Sequence, residues 1–348
     1  MEVKKAARKE KDHIAQLFNV RRERFGIPDD IYWGWLNPTD QSIDWKTWRH
    51  ADADGIGGFA NILRPMGFPC DPLPQCNDVR EPTWLEIIRA SKAYPRPKAP
   101  KKVNWKKTYA VSDNDKRMPE VSVLNGEQTK ALNLKAYTEG VSPGHIVFSA
   151  MSRVIARTLI EGNEPFYWFF AVNIRGATGI SNEQFNQASG INMLISPDSD
   201  ASHWRQQMRL NLKAKTHWAT WKLANIGKYI GDKGLELVYR LTSGSAYFAG
   251  SCSNLGNWPL EDAHNPEITD PHLLCAVGPG SPNYPVNSSM IGWNGETTLT
   301  LKLHPYICPD QALVRKLCDE WKEEVLKQLP ETALAAKQHQ TTSLALIP

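Results

Sequence analysis

Residues 142–174 constrain the fold more tightly than any other stretch of this chain of 348 residues. Ser142-Pro143 reads as a helix start, with serine at the N-cap and proline at the first helical position, where its missing N–H costs nothing. Ile146, Val147, Met151, Val154, Ile155 and Leu159 continue at helical spacing, and Gly162-Asn163 ends the run. Phe166 to Ile174 follows as a near-continuous apolar segment of strand length, the pattern of a central buried strand. A helix with one apolar stripe, joined to such a strand, packs on a sheet, and the fold class is α/β. The strand is also the densest apolar run in the chain, and it is too short to span a bilayer.

Other elements fit the same architecture. Residues 1–25 read as a charged amphipathic helix with Ile14, Leu17, Phe18 and Arg21 at helical spacing. Strand patterns cover 120–124 and 189–195, and helical ones cover 126–134 and 202–228. Thr297 to Leu303 alternates like a strand edging a half-buried sheet, and a last helix runs from Pro309 to Leu329. Residues 331–348 read as a disordered tail. Between Arg89 and Ser112 the chain carries eight basic residues and no acid, with prolines at 95, 97 and 100. We expect a solvated, extended connector at 96–118 between an N-terminal part, 1–95, and a C-terminal part, 119–330.

Composition narrows the function. The net charge of +4 is too mild for a nucleic-acid binder, and 41% hydrophobic residues support a sizeable core. The charged start lacks the apolar region of a secretory signal, and six scattered cysteines form no CxxC pair, so reduced thiols and a cytoplasmic location are expected. Thirteen tryptophans suit a core, with a minority lining an apolar substrate channel.

The chemistry concentrates in His50-Ala51-Asp52-Ala53-Asp54-Gly55-Ile56-Gly57-Gly58. A strand-like run, 43–48, leads in, and Phe59 to Leu63 looks helical. His50 is therefore expected where a strand ends and a glycine-rich turn begins, with glycine at 55 and 57 permitting positive φ and close backbone approach. A neutral imidazole there suits general-base work. Metal binding by His50, Asp52 and Asp54 is a rival chemistry, but no second His or Cys cluster completes such a site, and no metal is expected. A serine hydrolase is excluded by the missing G-x-S-x-G elbow; Ser243-Gly244-Ser245-Ala246 lacks the closing glycine.

The nonapeptide resembles the HxxxDG signature of the acyl-CoA-dependent acyltransferase superfamily, which includes chloramphenicol acetyltransferase, condensation domains and wax-ester synthases. Val172-Asn173-Ile174-Arg175 and Ser253-Asn254-Leu255-Gly256 resemble two further family strings, in the family's order. The resemblance implies two chloramphenicol-acetyltransferase-like sandwich halves around a central cleft. His50 stands nearer the start than in the family, which implies a reduced N-terminal half, and Arg49 replaces the first His of the doubled form. The implied activity is acyl transfer from a CoA or carrier-protein thioester to an alcohol or amine, with His50 as general base. The thioester is a cosubstrate rather than a bound cofactor. The partners are a small-molecule acceptor and a carrier protein, with no nucleic acid and no membrane span. In the family the motif's Asp is structural and pairs with an Arg near the end of the first helix, so Asp54 is expected to pair with Arg22. Asn173, Arg175, Ser253 and Asn254 are expected at the substrate, the last two as oxyanion donors. The basic connector would meet CoA phosphates or an acidic carrier. A degenerate member acting as a binding or scaffold module is the alternative.

Overall fold

The computed structural model describes residues 11–96, 102–112, 115–242, 248–258 and 272–330. In chain order the elements begin with α1 (His13–Phe25), β1 (Asp30–Leu36), β2 (Lys46–Arg49), α2 (Gly55–Leu63) and α3 (Trp84–Ala93). Then come β3 (Glu120–Leu124), α4 (Gly126–Thr138), α5 (Pro143–Leu159), β4 (Phe166–Asn173) and β5 (Ala188–Ile195). Three helices follow, α6 (Ala201–Lys213), α7 (Thr216–Ala224) and α8 (Gly227–Thr242). The remainder is β6 (Phe248–Trp258), β7 (Leu273–Val277), β8 (Val286–Trp293), β9 (Glu296–Leu303) and α9 (Gln311–Leu326).

The strands form two sheets, one ordered β2-β1-β7 and the other β3-β9-β8-β6-β4-β5. In the larger sheet β4, β6 and β8 run parallel, and the outer pairings are antiparallel. The principal core lies between this sheet and α4, α5, α6 and α9, around Phe148, Trp168, Trp204 and Trp321. A second core fills the opposite face, beneath β1, β7 and α2, and holds four partly buried tryptophans, Trp33, Trp35, Trp45 and Trp48. A third, smaller one joins α1, α3 and α7.

Helix α5 forms as its sequence dictates. Ser142 caps it, its side chain accepting from His145 N, and Pro143 opens the first turn. Three expectations are corrected. The strand 297–303 is no edge: β9 lies between β3 and β8, and each of those seven residues is buried. Its leucines join the helix-side core, while its polar face meets the smaller sheet, where Thr298 Oγ1 donates to Leu274 O at 2.8 Å. Lys302 Nζ on the same face donates to Pro279 O at 2.9 Å, and these two bonds satisfy part of the buried polar face, while Thr300 Oγ1 has no partner among the described residues. The helix expected over 202–228 breaks at Lys215, which adopts φ +56° between α6 and α7.

The basic stretch is not a solvated connector throughout. Arg89 and Lys92 belong to α3, which opens with a capping box between Thr83 and Glu86. Lys106 N donates to Leu159 O, Tyr109 N donates to Tyr306 O, and Arg117 Nε donates to Cys308 O. Lys98, Lys101, the segment 243–246 and the tail 331–348 lie outside the described residues. The smaller sheet also draws on both sides of the connector, because β7 pairs with β1. Among the described residues no helix is long and apolar enough to cross a membrane.

Candidate active site

The parallel strands β4 and β6 pair as far as Phe170 and Cys252, and the two strings that follow the His50 motif in sequence begin just past that point. Ligand sites in open α/β sheets form beyond such strand ends. Strand β6 is interrupted there: its register against β8 shifts between Asn254 and Asn257, and Gly256 takes φ +81°. Ser253, Asn254 and Leu255, just before and at that irregularity, line a cavity with His50.

His50 leaves β2 through a short turn that Asp29 ties down. His50 N donates to Asp29 O at 2.7 Å, and Ala51 N donates to Asp29 Oδ2 at 3.0 Å. Arg22 Nη1 donates to Asp29 Oδ1 at 2.8 Å and to Asp30 Oδ1 at 3.0 Å. Arg22 therefore positions the loop through Asp29 and is not the partner of Asp54, as the resemblance had implied.

Asp54 pairs with Arg175. Arg175 Nη2 lies 3.0 and 3.1 Å from the two Asp54 oxygens, and the side chains are 3% and 1% exposed. Asp54 also caps α2 by accepting from Gly57 N at 2.8 Å, and it accepts from Gln187 N at 2.8 Å. One carboxylate thus joins the His50 loop, the turn after β4 and the start of β5. Arg175, expected at the substrate, is consumed by this pair and by Glu183 O. Asn173 lines the smaller cavity beside His50, and its amide is engaged: Nδ2 donates to Pro74 O, and Oδ1 accepts from Arg175 N.

Gly55, Gly57 and Gly58 lie inside α2, and none takes the positive φ expected of a turn. Close approach explains two of them better. A Cβ on Gly57 would stand 2.8 Å from Glu183 O, and one on Gly58 would stand 2.5 Å from the Trp48 ring.

The imidazole is held from two sides. Its ring stacks on Phe18 of α1 at 4.3 Å between centroids, and its Nδ1 lies 2.7 Å from Asn186 Oδ1. Asn186 is itself fixed, donating from N and from Nδ2 to Asp12 Oδ2, each at 2.8 Å. The other oxygen of Asp12 caps α1, accepting from Ile14 N and Ala15 N. Since Nδ2 faces Asp12, the amide oxygen faces His50 and can only accept. Nδ1 must then carry the proton, which leaves the lone pair on Nε2. Asp52 is exposed and Asp54 is spent on Arg175, so the three side chains do not converge as a metal grip would require. Sequence reasoning missed Asp12, Asp29 and Asn186. Only Asp12 carried a local signal, as an N-cap before an apolar-periodic helix.

Two cavities meet at His50. The smaller, of about 110 Å³, reaches toward α2 and Ser253-Asn254-Leu255. The larger, of about 310 Å³, extends between α1, α7 and β4. His50, Ala171, Ala188, Ser253 and Gly278 line both. The Ser253 side chain is half-buried on this shared wall, and Asn254 is exposed and lines the smaller cavity alone.

Two sheets, a histidine at the end of the smaller one and a pair of cavities beside it make a fold that this chain shares with solved structures of low sequence identity. The chain is similar to the cyclization-docking bidomain of the nonribosomal peptide synthetase EpoB from Sorangium cellulosum. The identity is 12%, the match covers 82% of this chain and 59% of that one, and the TM-score is 0.52. It thus spans about three-fifths of that structure's length. Two further solved structures are similar at lower scores. One is the trichothecene 15-O-acetyltransferase TRI3 of Fusarium sporotrichioides, at 11% identity, 71% and 52% coverage and a TM-score of 0.43. The other is polyketide synthase associated protein 5 of Mycobacterium tuberculosis, at 14%, 84% and 77%, with a TM-score of 0.45. No family model matches the chain, and no curated protein does.

Proposed function

We propose that this protein is an acyltransferase of the condensation type, which moves an acyl group from a CoA or carrier-protein thioester to an alcohol or amine. The observation that carries this reading is the position of His50 on the wall shared by two cavities, with Nδ1 engaged by Asn186. Two cavities let donor and acceptor approach one base from opposite sides, which lowers the entropic cost of bringing them together. His50 Nε2 takes the proton of the acceptor as its oxygen or nitrogen bonds to the thioester carbonyl carbon. The C–S bond then breaks, and the proton passes from Nε2 to the departing sulfur. Such general-base assistance contributes about a hundred- to ten-thousandfold in rate. Ser253 borders both cavities and is the donor best placed for the carbonyl oxygen. Asp54, Arg175 and Asp29 act on the loop and not on the substrate.

No protein nucleophile takes part in this scheme. Acetyl-, hexanoyl- and palmitoyl-CoA, each offered with a panel of alcohols and amines, should give thiol release that needs the acceptor, with sequential initial-rate patterns. Intact-mass spectra should show no acylated protein. Ping-pong kinetics with an acyl adduct on the chain would overturn the reading.

A further inference from the structure

The larger cavity holds a cation with no counter-ion among the described residues. Arg21 lines it from α1, and its buried Nε has no hydrogen-bond partner among the described residues. No ion pair or hydrogen bond joins the rest of its guanidinium to a described residue either. Its neighbours are π faces: the guanidinium carbon lies 5.9 Å from the Phe18 ring centre and 5.6 Å from that of Tyr239. Such faces favour a cation but leave the buried Nε donor unused. The cavity offers no acid in return. Its other described lining residues are apolar or neutral, apart from His50 itself. Ser251, Asn287 and Tyr284 form its polar end, where Ser251 Oγ donates to Asn287 Oδ1 at 2.7 Å.

We propose that the larger cavity binds an acyl acceptor that carries a carboxylate, a hydroxy or amino acid with an apolar body, whose carboxylate is held by Arg21. This rests on the acyl-transfer reading of the site and names its acceptor class. Phe18 sets the length of the ligand. It stacks on His50 at 4.3 Å and lies beneath Arg21 at 5.9 Å, so imidazole and guanidinium are no further apart than those two distances laid end to end. The carboxylate therefore sits a few bonds from the atom that Nε2 deprotonates. A CoA phosphate would reach Arg21 only with the pantetheine arm folded back on itself, because the extended arm is longer than this span. Phe18, Leu17, Ile14 and Trp221 meet the apolar body. The step itself is unchanged: the acceptor's O–H or N–H proton goes to Nε2 and then to the thiolate sulfur.

Calorimetric binding separates this proposal from the catalytic one, because it needs no turnover. Hydrocinnamate and its neutral amide, hydrocinnamamide, are the probes, both free of a nucleophile for acyl transfer. The intact protein should bind the carboxylate at least about tenfold more tightly than the amide, as a charge-assisted hydrogen bond implies. Arg21→Gln should abolish that preference and leave amide affinity unchanged. Arg21→Lys keeps the charge without the planar fork and should retain part of the preference. His50→Ala should retain all of it even though its turnover is largely lost. Equal affinity for the two probes, binding of neither, or a preference that survives in Arg21→Gln overturns the proposal. Preferred carboxylate binding by a protein that shows no thioester turnover would uphold the Arg21 site and count against the acyl-transfer reading alone.

Discussion

Asn186 Oδ1 lies 2.7 Å from His50 Nδ1, and the same amide gives its Nδ2 to Asp12. The contact selects one imidazole tautomer, so a residue that touches no reacting atom decides which ring nitrogen can act as base. Asn186→Ala should lower kcat roughly tenfold or more with little change in KM, since the base is weakened and the cavities are kept. Asn186→Asp combined with Asp12→Asn keeps an acceptor for Nδ1, returns an amide donor to the contact that Asn186 Nδ2 now makes with Asp12, and moves the negative charge beside the ring. It should rescue part of the rate and move the acid limb of the kcat/KM profile to higher pH, because an anion favours imidazolium. A purely structural role for Asn186 predicts no such movement of the limb.

The Asp54–Arg175 pair makes a prediction about stability. Both side chains are almost wholly buried, so removal of either leaves the other charge uncompensated. Asp54→Asn or Arg175→Met should each cost about 3–5 kcal/mol in denaturant unfolding. The double variant should cost less than the sum of the two singles. Singles that unfold like the parent would mean that the pair does not hold the loop.

Acid should release the His50 loop through Asp29. Burial pushes the Asp29 carboxyl up, but Arg22, the Ala51 N–H and Arg49 together outweigh it and hold the pKa below its ordinary value of 3.8. A carboxyl whose pKa is lowered on folding stabilises fully above the ordinary value and loses that contribution as pH falls through the lowered one. The stability gap between the parent and Asp29→Asn should therefore be widest near neutrality and should narrow as pH falls below about 4. A gap that is constant with pH in denaturant titrations would contradict this.

Much of the fold was legible because its signals are local. The cap and stripe of α5, the apolar β4 and the His50–Asp54 spacing each lie within one element or one short turn. Features set by partners far along the chain were not legible. Thr297 to Leu303 alternates like an edge strand, yet β7 covers its polar face and Thr298 finds a carbonyl there. Lys215 breaks a helical pattern with no glycine or proline to mark it. Arg22 and Arg175 are both arginines at family-like positions, and only the folded chain shows which one reaches Asp54. Asn186 carries no local motif, because its role depends on Asp12 and His50, neither of which is near it in sequence. By contrast, the Thr83–Glu86 capping box is a local signal, and it marks the start of the helix that runs into the basic stretch.

The central claim is that His50 is the general base, and free-thiol release by His50→Ala tests it most directly. The ring is partly buried against Phe18 and supports no buried ion pair, so the variant should unfold like the parent. Its acceptor-dependent kcat/KM with acyl-CoA should fall by about a hundredfold or more. A folded His50→Ala protein that releases thiol at the parent's rate would contradict the account.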